Sequence, residues 1–246
     1  MSHTVGASLE VIPLDKKVKV LKKIRQLNPL LPKPPFRMAL VGSSNSGKTT
    51  FLCNLFRKQF YGSFWRKEHI FVFSPTASLD DKLKACIPAH KGQFYEAFDP
   101  AVIDEIYTTQ HEIYGEYGAT KLDHILIILD DMLGTDAMAA NSILTKYIFK
   151  TRHYNVSLIY SVQKYTGLPR IMRLNSDVMA IFRCSNMGEV DSIAEENADK
   201  SSRKRFRQLL IDIFSEPFQF LFVDYQCRDL SKRYRRGMND FIDFKF

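Results

Sequence analysis

The stretch that decides the fold of this 246-residue chain is Gly42-Ser43-Ser44-Asn45-Ser46-Gly47-Lys48-Thr49. It matches the pattern G-x-x-x-x-G-K-[ST] at every fixed position, and Thr50 follows it directly. A short apolar run at 37–41 precedes the stretch, and apolar residues at helical spacing follow it in 50–56. The sequence therefore predicts a strand, a phosphate-binding loop and a helix, in that order.

The residue types of this loop determine its chemistry. Glycines let the backbone curl around phosphate groups, and amide N–H groups then point inward at the N-terminus of the following helix. We expect Lys48 to reach the β- and γ-phosphates of a nucleotide and Thr49 to hold Mg²⁺, with all of 42–50 forming the binding segment. A surface turn rich in glycine and serine is the competing interpretation, and the flanking strand and helix weigh against it.

A second site element is the run Ile125-Leu126-Ile127-Ile128-Leu129-Asp130-Asp131. The five apolar residues predict a fully buried strand, and the two carboxylates follow at its C-terminal end, where open α/β sheets bind ligands. Asp130 is predicted to hold Mg²⁺ through its water shell, and Asp131 to orient or deprotonate the attacking water. Apolar strands ending in Asp are common, so the pattern becomes specific only with the loop roughly eighty residues upstream.

A third element is the predicted strand Val156-Ser157-Leu158-Ile159-Tyr160-Ser161-Val162-Gln163, which ends in a polar amide. Gln163 is predicted to sense the γ-phosphate or to position water, and a strand-end amide bonded to backbone is the alternative. Arg152 precedes this strand, and Arg170 and Arg173 follow it. A guanidinium placed beside a neighbouring subunit's nucleotide stabilises transition-state charge, an effect of about 10³ to 10⁵ in rate.

The composition is that of an ordinary globular protein, with 45% hydrophobic and 25% charged residues. The sequence contains no apolar run of 18 residues and no signal-peptide pattern at its start, so we expect neither a membrane span nor secretion. The four cysteines are scattered without a C-x-x-C pair, which indicates neither a zinc site nor a disulfide framework. A reducing intracellular compartment is the resulting expectation.

The net charge of +8 is concentrated at the two ends of the chain. Residues 1–36 hold seven Lys/Arg and two acidic residues, and residues 200–246 hold eleven and six. Such ends fit a polyanionic partner, because clustered Lys/Arg bind phosphate backbones by releasing counterions, but they equally fit solvated tails. We predict a basic, Pro-rich arm at 1–36, a nucleotide-binding core at 37–225 and a basic tail at 226–246.

Three classes of nucleotide-binding protein compete: a nucleic-acid motor, a GTPase switch and a small-molecule kinase. The GTPase finds support in Asp131-Met132-Leu133-Gly134, which spells D-x-x-G, and in Thr120-Lys121-Leu122-Asp123, which spells T-K-x-D. The second pattern precedes the strand of Asp130, whereas guanine recognition needs it after a later strand. The kinase lacks an identifiable arginine-rich lid and has no use for basic ends, so the motor explains more of the sequence.

The order of these elements resembles the FtsK/HerA superfamily of motor ATPases. The resemblance spans roughly residues 37 to 183 and is carried by 42–49, 125–131, 151–163 and Leu168-Pro169-Arg170. More narrowly, the chain is similar to the genome-packaging ATPases of poxviruses, other large DNA viruses and virophages. Many members of the superfamily have Asp-Glu where this chain has Asp130-Asp131, so a polarising role suits Asp131 better than that of a direct base.

This resemblance implies a three-layer α/β fold, the RecA-like P-loop NTPase fold of the ASCE class, with a mostly parallel central sheet. It implies ATP and Mg²⁺ as cofactors, Gln163 as the sensor and Arg152 as an arginine finger acting in trans. Proteins of this kind form rings, typically hexamers, that pump double-stranded DNA into a preformed capsid. The implied partners are therefore DNA, further copies of the chain and capsid vertex proteins, in the virion or in a cytoplasmic viral factory.

Overall fold

A computed structural model of the chain describes residues 27–132 and 142–244. The lysine-rich part of the predicted arm, Gly134 of the D-x-x-G pattern and the first residues of a helix predicted at 138–149 lie outside this part. The strands are β1 (Arg37–Val41), β2 (Ile70–Phe73), β3 (Phe94–Tyr95), β4 (Ile125–Asp130), β5 (Val156–Val162), β6 (Val178–Phe182), β7 (Phe220–Asp224), β8 (Tyr234–Arg236) and β9 (Asp240–Ile242). The α-helices are α1 (Lys48–Asn54), α2 (Asp81–Cys86), α3 (Pro100–Tyr117), α4 (Ile143–Tyr147), α5 (Arg170–Asn175), α6 (Met187–Asn197) and α7 (Arg203–Phe214).

The strands form one sheet in the order β3-β2-β4-β5-β1-β6-β7-β8-β9. The six strands from β3 to β6 are parallel, whereas β7, β8 and β9 each run antiparallel to the strand before them. β1 lies between β5 and β6, at the centre of the parallel part. The predicted mostly parallel sheet is confirmed, and the phosphate-binding loop emerges from its middle strand.

Helices cover both faces of the sheet, and the central strands β1, β4, β5 and β6 are accordingly buried along nearly their whole length. In β4, Ile125, Ile127 and Leu129 pack on the face that carries α3 to α7. Leu126 and Ile128 alternate with them and pack on the face of α1 and α2. This period of two, repeated from strand to strand, produces two separate apolar cores and the three layers expected from the sequence.

The C-terminal part of the sheet differs from the prediction. The sequence indicates a last strand at 218–223 on the edge of the sheet, but β8 and β9 follow it and pair beyond it. The prediction that 218–223 is the edge strand is therefore wrong. Strands are predicted from apolar runs, and β8 is rich in charged residues, so it does not show such a run. Arg235 of β8 is buried, and its guanidinium donates to the carbonyl oxygens of Leu30 and Met238.

No helix within 27–132 or 142–244 has both the length and the apolar character to cross a membrane. The longest, α3, has 18 residues and begins at Pro100 after Asp99, whose side chain accepts a hydrogen bond from the Ala101 amide. Its buried residues, Ile103, Ile106, Tyr107 and Gln110, recur at helical spacing. The helix is therefore amphipathic, as the sequence predicts, and packs its apolar side on the sheet.

Candidate nucleotide-binding site

The phosphate-binding loop is attached to the strands on either side of β1. The Gly42 amide donates to the Val162 carbonyl of β5 at 3.1 Å, and the Ser43 amide donates to the Arg183 carbonyl after β6 at 2.9 Å. A Cβ at Gly42 would lie 2.6 Å from the Cβ of Phe182, closer than such atoms approach. The first glycine of the pattern is needed because the loop lies directly against the neighbouring strand.

The second half of the loop turns into α1 through backbone conformations that favour small residues. Asn45 has φ 58° and Gly47 has φ 110°, both in the left-handed region. The α-helix starts at Lys48, and the Phe51 amide donates to the Gly47 carbonyl at 2.9 Å. Since the first amides of a helix have no partner within it, those of this turn are available to phosphate oxygens.

Lys48 lies folded into the loop that precedes it. Its Nζ donates to the carbonyl oxygens of Gly42 at 2.6 Å and Ser43 at 2.9 Å. The side chain is buried, and this burial lowers the pKa of Lys48, while the charges of Asp131 and Asp130 act in the opposite direction. The ammonium group is thereby placed between the loop backbone and the two carboxylates, where a phosphate chain would need a positive charge.

Asp130 ends β4 on the same face of the sheet as α1. It pairs in register with Ser161 of β5 and is 7% exposed. Burial raises the pKa of Asp130, a neighbouring Ser161 hydroxyl counteracts this, and the Asp131 charge adds to it. Thr49 lines the same cleft from the first turn of α1. One carboxylate and one hydroxyl beside a phosphate-binding loop form the oxygen donor set that suits Mg²⁺, which keeps several waters and binds phosphates.

Asp131 and Gln163 meet although they follow different strands. Asp131 has φ 53°, and its amide donates to the Ser161 carbonyl at 3.1 Å. This turn directs the carboxylate toward β5, where Gln163 Nε2 donates to Asp131 Oδ2 at 2.6 Å. The alternative for Gln163, a strand-end amide bonded to backbone, is not what the structure shows. The amide and the carboxylate form one polar pair at the mouth of the cleft.

These groups surround a cleft of ≈ 540 Å³. Ser44, Asn45, Gly47, Lys48, Thr49 and Thr50 line it from the loop side, and Asp130, Asp131 and Gln163 line it from the sheet. The cleft also contains residues that the sequence analysis missed, namely Thr76, Asp80, Lys82, Ser161 and Phe218. Thr76 and Asp80 follow the apolar run of β2, so their position just after a buried parallel strand could have indicated them from the sequence. Phe218 offered no such signal, because it precedes an antiparallel strand.

Arg152 lies near the amino ends of the parallel strands, whereas the cleft lies at their carboxyl ends. Its Nη2 donates to Asp177 Oδ1 at 2.5 Å, and the Asp177 amide donates to the Arg37 carbonyl at the start of β1. The cleft lies beyond the other end of β1. Arg152 therefore does not reach the cleft of its own chain, and about half of its side chain is exposed.

The other two candidate arginines differ from each other in their surroundings. Arg173 makes two hydrogen bonds to Glu196, from Nε at 2.9 Å and from Nη2 at 2.7 Å, and its side chain is 13% exposed. Arg170 is exposed at the first residue of α5. Arg152 is also paired within its own chain, but its side chain and that of Arg170 are more exposed than that of Arg173, so these two are the better presented guanidinium groups.

The T-K-x-D pattern lies far from the cleft. Lys121 ends a short 3-10 helix, and Asp123 precedes β4 at the amino edge of the sheet. Because the loop emerges at the carboxyl edge, these residues cannot contact a base bound there. The structure supports the interpretation of this pattern as a coincidence.

Comparisons with known proteins place the chain among viral proteins. The family model described as Poxvirus A32 protein matches residues 25–219. The DNA packaging protein OPG160 of Monkeypox virus is 29% identical over 181 residues, which cover 72% of this chain and 57% of the relative. OPG160 of Vaccinia virus (strain Copenhagen) is 28% identical over 182 residues, covering 72% and 64%. The chain thus spans about three fifths of the length of these relatives.

Solved structures show the same fold at low sequence identity. The genome packaging NTPase B204 of Sulfolobus turreted icosahedral virus 2, in complex with ATP-gammaS, has a TM-score of 0.54 and 15% identity. The match covers 87% of this chain and all of B204. The pCW3 conjugation coupling protein TcpA, with ATPgS, has a TM-score of 0.58 and 13% identity, covering 86% of this chain and 61% of TcpA. The predicted RecA-like P-loop fold is confirmed.

Proposed function

Since the chain belongs to the poxvirus A32 protein family, we propose that it is an ATPase that moves double-stranded DNA into a viral capsid. The observation that carries the proposal is the cleft, where a phosphate-binding loop, a buried carboxylate and a polar Asp131–Gln163 pair converge. The relatives are named DNA packaging proteins, and B204 is a packaging NTPase solved with a nucleotide analogue. Chemistry and family therefore support the same activity.

The loop and Lys48 would bind the triphosphate. The free amides of the first turn of α1 would donate hydrogen bonds to phosphate oxygens, and Lys48 would neutralise charge on the β- and γ-phosphates. Thr49 and Asp130 would hold Mg²⁺, which when bound supplies further positive charge to the phosphates. Lys48 and Asp130 are both buried beside the cleft, where low exposure to solvent would strengthen their electrostatic interactions with the bound charges.

The Asp131–Gln163 pair would position the attacking water. Gln163 Nε2 donates to one carboxylate oxygen of Asp131, so that oxygen is fixed and the second remains free to accept from water. Because Gln163 is hydrogen-bonded to Asp131, loss of a γ-phosphate contact by one of them would also change the position of the other. This arrangement fits an orienting and polarising role for Asp131 and a sensing role for Gln163.

Arg152 would complete the cleft of a neighbouring copy. Because it lies at the edge of the sheet opposite its own cleft, only a head-to-tail contact between copies would bring it to a nucleotide. Asp177 holds the guanidinium while half of the side chain remains exposed to a partner. Repetition of this contact would build a closed ring, typically a hexamer, around duplex DNA.

The remaining partners follow from the packaging role. A packaging motor must meet the capsid at the vertex through which DNA enters, and it would work in the virion or in a cytoplasmic viral factory. The T-K-x-D pattern does not favour a GTPase switch, since Asp123 precedes β4, at the end of the sheet opposite the cleft.

An ATPase assay with and without duplex DNA, across protein concentrations, tests the proposal. We expect a DNA-stimulated rate that rises as copies assemble and that Lys48→Ala abolishes. Lys58→Ala is the matched control, because Lys58 is exposed and outside the cleft. A preference for GTP, or turnover retained by Lys48→Ala, would contradict the proposal.

A mixing experiment tests the trans role of Arg152. Arg152→Ala protein keeps its cleft, and Lys48→Ala protein keeps its arginine, so each alone should be inactive. Mixed together, they should recover part of the activity at interfaces that combine one intact cleft with one intact arginine. Failure of every mixing ratio would remove Arg152 from the mechanism, and the same test would then be applied to Arg170.

A further inference from the structure

Phe218 is a large apolar side chain exposed at the nucleotide cleft. It is 72% exposed and belongs to the lining of the cleft, in the short connection between α7 and β7. Its Cδ1 lies 3.6 Å from the position that a Cβ at Gly47 would occupy, so the ring stands directly beside the phosphate-binding loop. Single exposed apolar residues are common on proteins, and this one is notable for its place and its backbone.

The backbone of Phe218 is in an unusual conformation. Its φ is 63°, in the left-handed region that bulky residues rarely adopt. The next residues return to regular structure, with Phe220 opening β7 and packing its ring on Phe51 at 5.0 Å and Phe182 at 4.8 Å. The chain therefore buries Phe220 in the core and turns the ring of Phe218 outward over the loop. Backbone outliers of this kind concentrate at ligand sites.

The order of the strands determines which end of a nucleotide would reach Phe218. Asp130 and Gln163 mark the γ-phosphate end, and they follow β4 and β5 on one side of β1. Phe218 precedes β7, on the other side of β1 beyond β6. A triphosphate lying along the loop with its γ end at the carboxylates would consequently direct its nucleoside toward β6 and β7.

We propose that Phe218 is the surface on which the base of the bound nucleotide stacks. This inference deepens the proposed ATPase function and rests on it. The neighbouring Phe182 cannot take this role, because its ring is buried at 1% exposure. A phenyl ring has no hydrogen-bond donor or acceptor, so it stacks any purine without reading its edge. The ligand class is a purine nucleoside triphosphate, with ATP and GTP both stacking.

Calorimetric binding of two probes, ATPγS and inorganic tripolyphosphate, separates the base from the phosphates. Phe218→Ala should weaken ATPγS binding roughly tenfold, in line with the loss of one base–aromatic stack. Tripolyphosphate binding should remain unchanged, because the loop and Lys48 are intact. Phe218→Trp should restore ATPγS affinity, since the larger ring also stacks.

Two further variants test whether the loss of ATPγS affinity comes from the missing ring. The alternatives are a change in the backbone at this position and a general effect of removing an exposed apolar side chain. Phe218→Gly removes the ring and accepts the positive φ without strain, so it should weaken ATPγS binding as much as Phe218→Ala while melting no lower than the wild type. Met187→Ala is the matched control, because Met187 is 45% exposed and lines a different groove.

Wild-type affinity for ATPγS in Phe218→Ala and Phe218→Gly would overturn the inference while leaving the ATPase proposal intact. An equal loss of tripolyphosphate binding would also overturn it, because the ring would then act on the loop itself. A wild-type chain that binds neither probe would refute the proposed function together with the stacking role.

Discussion

Gly42 illustrates how one missing methyl group allows the site to form. The backbone here must bond to β5 on one side while it passes directly over Phe182 on the other. Gly42→Ala places a Cβ 2.6 Å from the Phe182 Cβ, so either the loop or β6 must move. We expect overpacking to cost roughly 1–3 kcal/mol of stability and ATPase activity to fall at least about tenfold, measured by thermal unfolding and steady-state turnover.

Gly115→Ala is the matched control for this substitution. Gly115 lies in α3, and a Cβ added there meets nothing within 4 Å. Because alanine favours a helix more than glycine does, this variant should be as stable as the wild type or slightly more so. Equal behaviour of the two variants would show that the close approach at Gly42 has no consequence.

Gln163→Glu tests the polar pair at the mouth of the cleft. The change replaces a donor with a carboxylate at a position 2.6 Å from Asp131 Oδ2, where two like charges repel. We expect kcat to fall about 10²-fold, as when a positioned donor is lost, with a smaller change in KM. Steady-state ATPase kinetics provide the measurement, and an unchanged kcat would exclude Gln163 from the chemical step.

The residues of the site differ in how far the sequence predicts them. Lys48, Asp130 and Gln163 are predictable because each follows a strand or opens a helix whose apolar pattern is clear. Phe218 is not predictable, because its role depends on β7 lying antiparallel beside β6. That pairing is a property of the folded sheet.

At the scale of elements, the apolar runs predict the strands and helices of the core, while their ends depend on local hydrogen bonds. The start of α2, for example, is fixed by Asp80, whose side chain accepts a hydrogen bond from the Leu83 amide. The basic segment at 200–207 also proves to be mostly helical, since α7 begins at Arg203. A spacing pattern alone does not predict at which residue a helix begins.

The turn before α7 leads to a prediction about pH. Asp199 accepts from the hydroxyl and amide of Ser202 and from the Ser201 hydroxyl, and these bonds lower its pKa to about 2. The carboxylate therefore adds stability above its unfolded pKa, near 4, that is lost as the pH falls toward 2. Asp199→Ala should lower Tm equally at pH 5 and 7, and the difference should shrink below pH 4.

Asp240→Ala serves as the control for the pH series, because Asp240 is an exposed carboxylate in β9, outside this turn. Thermal unfolding followed by circular dichroism would record both variants. A difference between wild type and Asp199→Ala that stays constant down to pH 3 would contradict the stabilising role of the charged carboxylate.

At the scale of the whole molecule, the basic C-terminal segment is partly structural. Arg235 stacks over Phe222 at 4.4 Å and lies 3.7 Å from Asp224, and Arg236 pairs with Glu216. From sequence alone these arginines look free to bind DNA, because a charged stretch does not have the apolar pattern that predicts a strand. The division into arm, core and tail remains a prediction, with β8 and β9 joined to the sheet.

Arg235→Ala should therefore destabilise the fold by about 3 kcal/mol, as expected when one partner of a buried ion pair is removed. Arg228→Ala is the comparison, because Arg228 is exposed and its loss should leave Tm unchanged. Chemical denaturation measures the first effect, and the salt dependence of duplex binding shows whether Arg228 contacts phosphate. A stable Arg235→Ala protein would contradict the structural role assigned to this arginine.

The position of β8 and β9 has a consequence for synthesis on the ribosome. Until residues 234–242 have emerged from the exit tunnel, the backbone edge of β7 has no strand beside it. An apolar strand with an open edge invites pairing with other nascent chains. The sheet therefore cannot be completed before these residues are available, and messages truncated before this point should yield polypeptides that depend on chaperones.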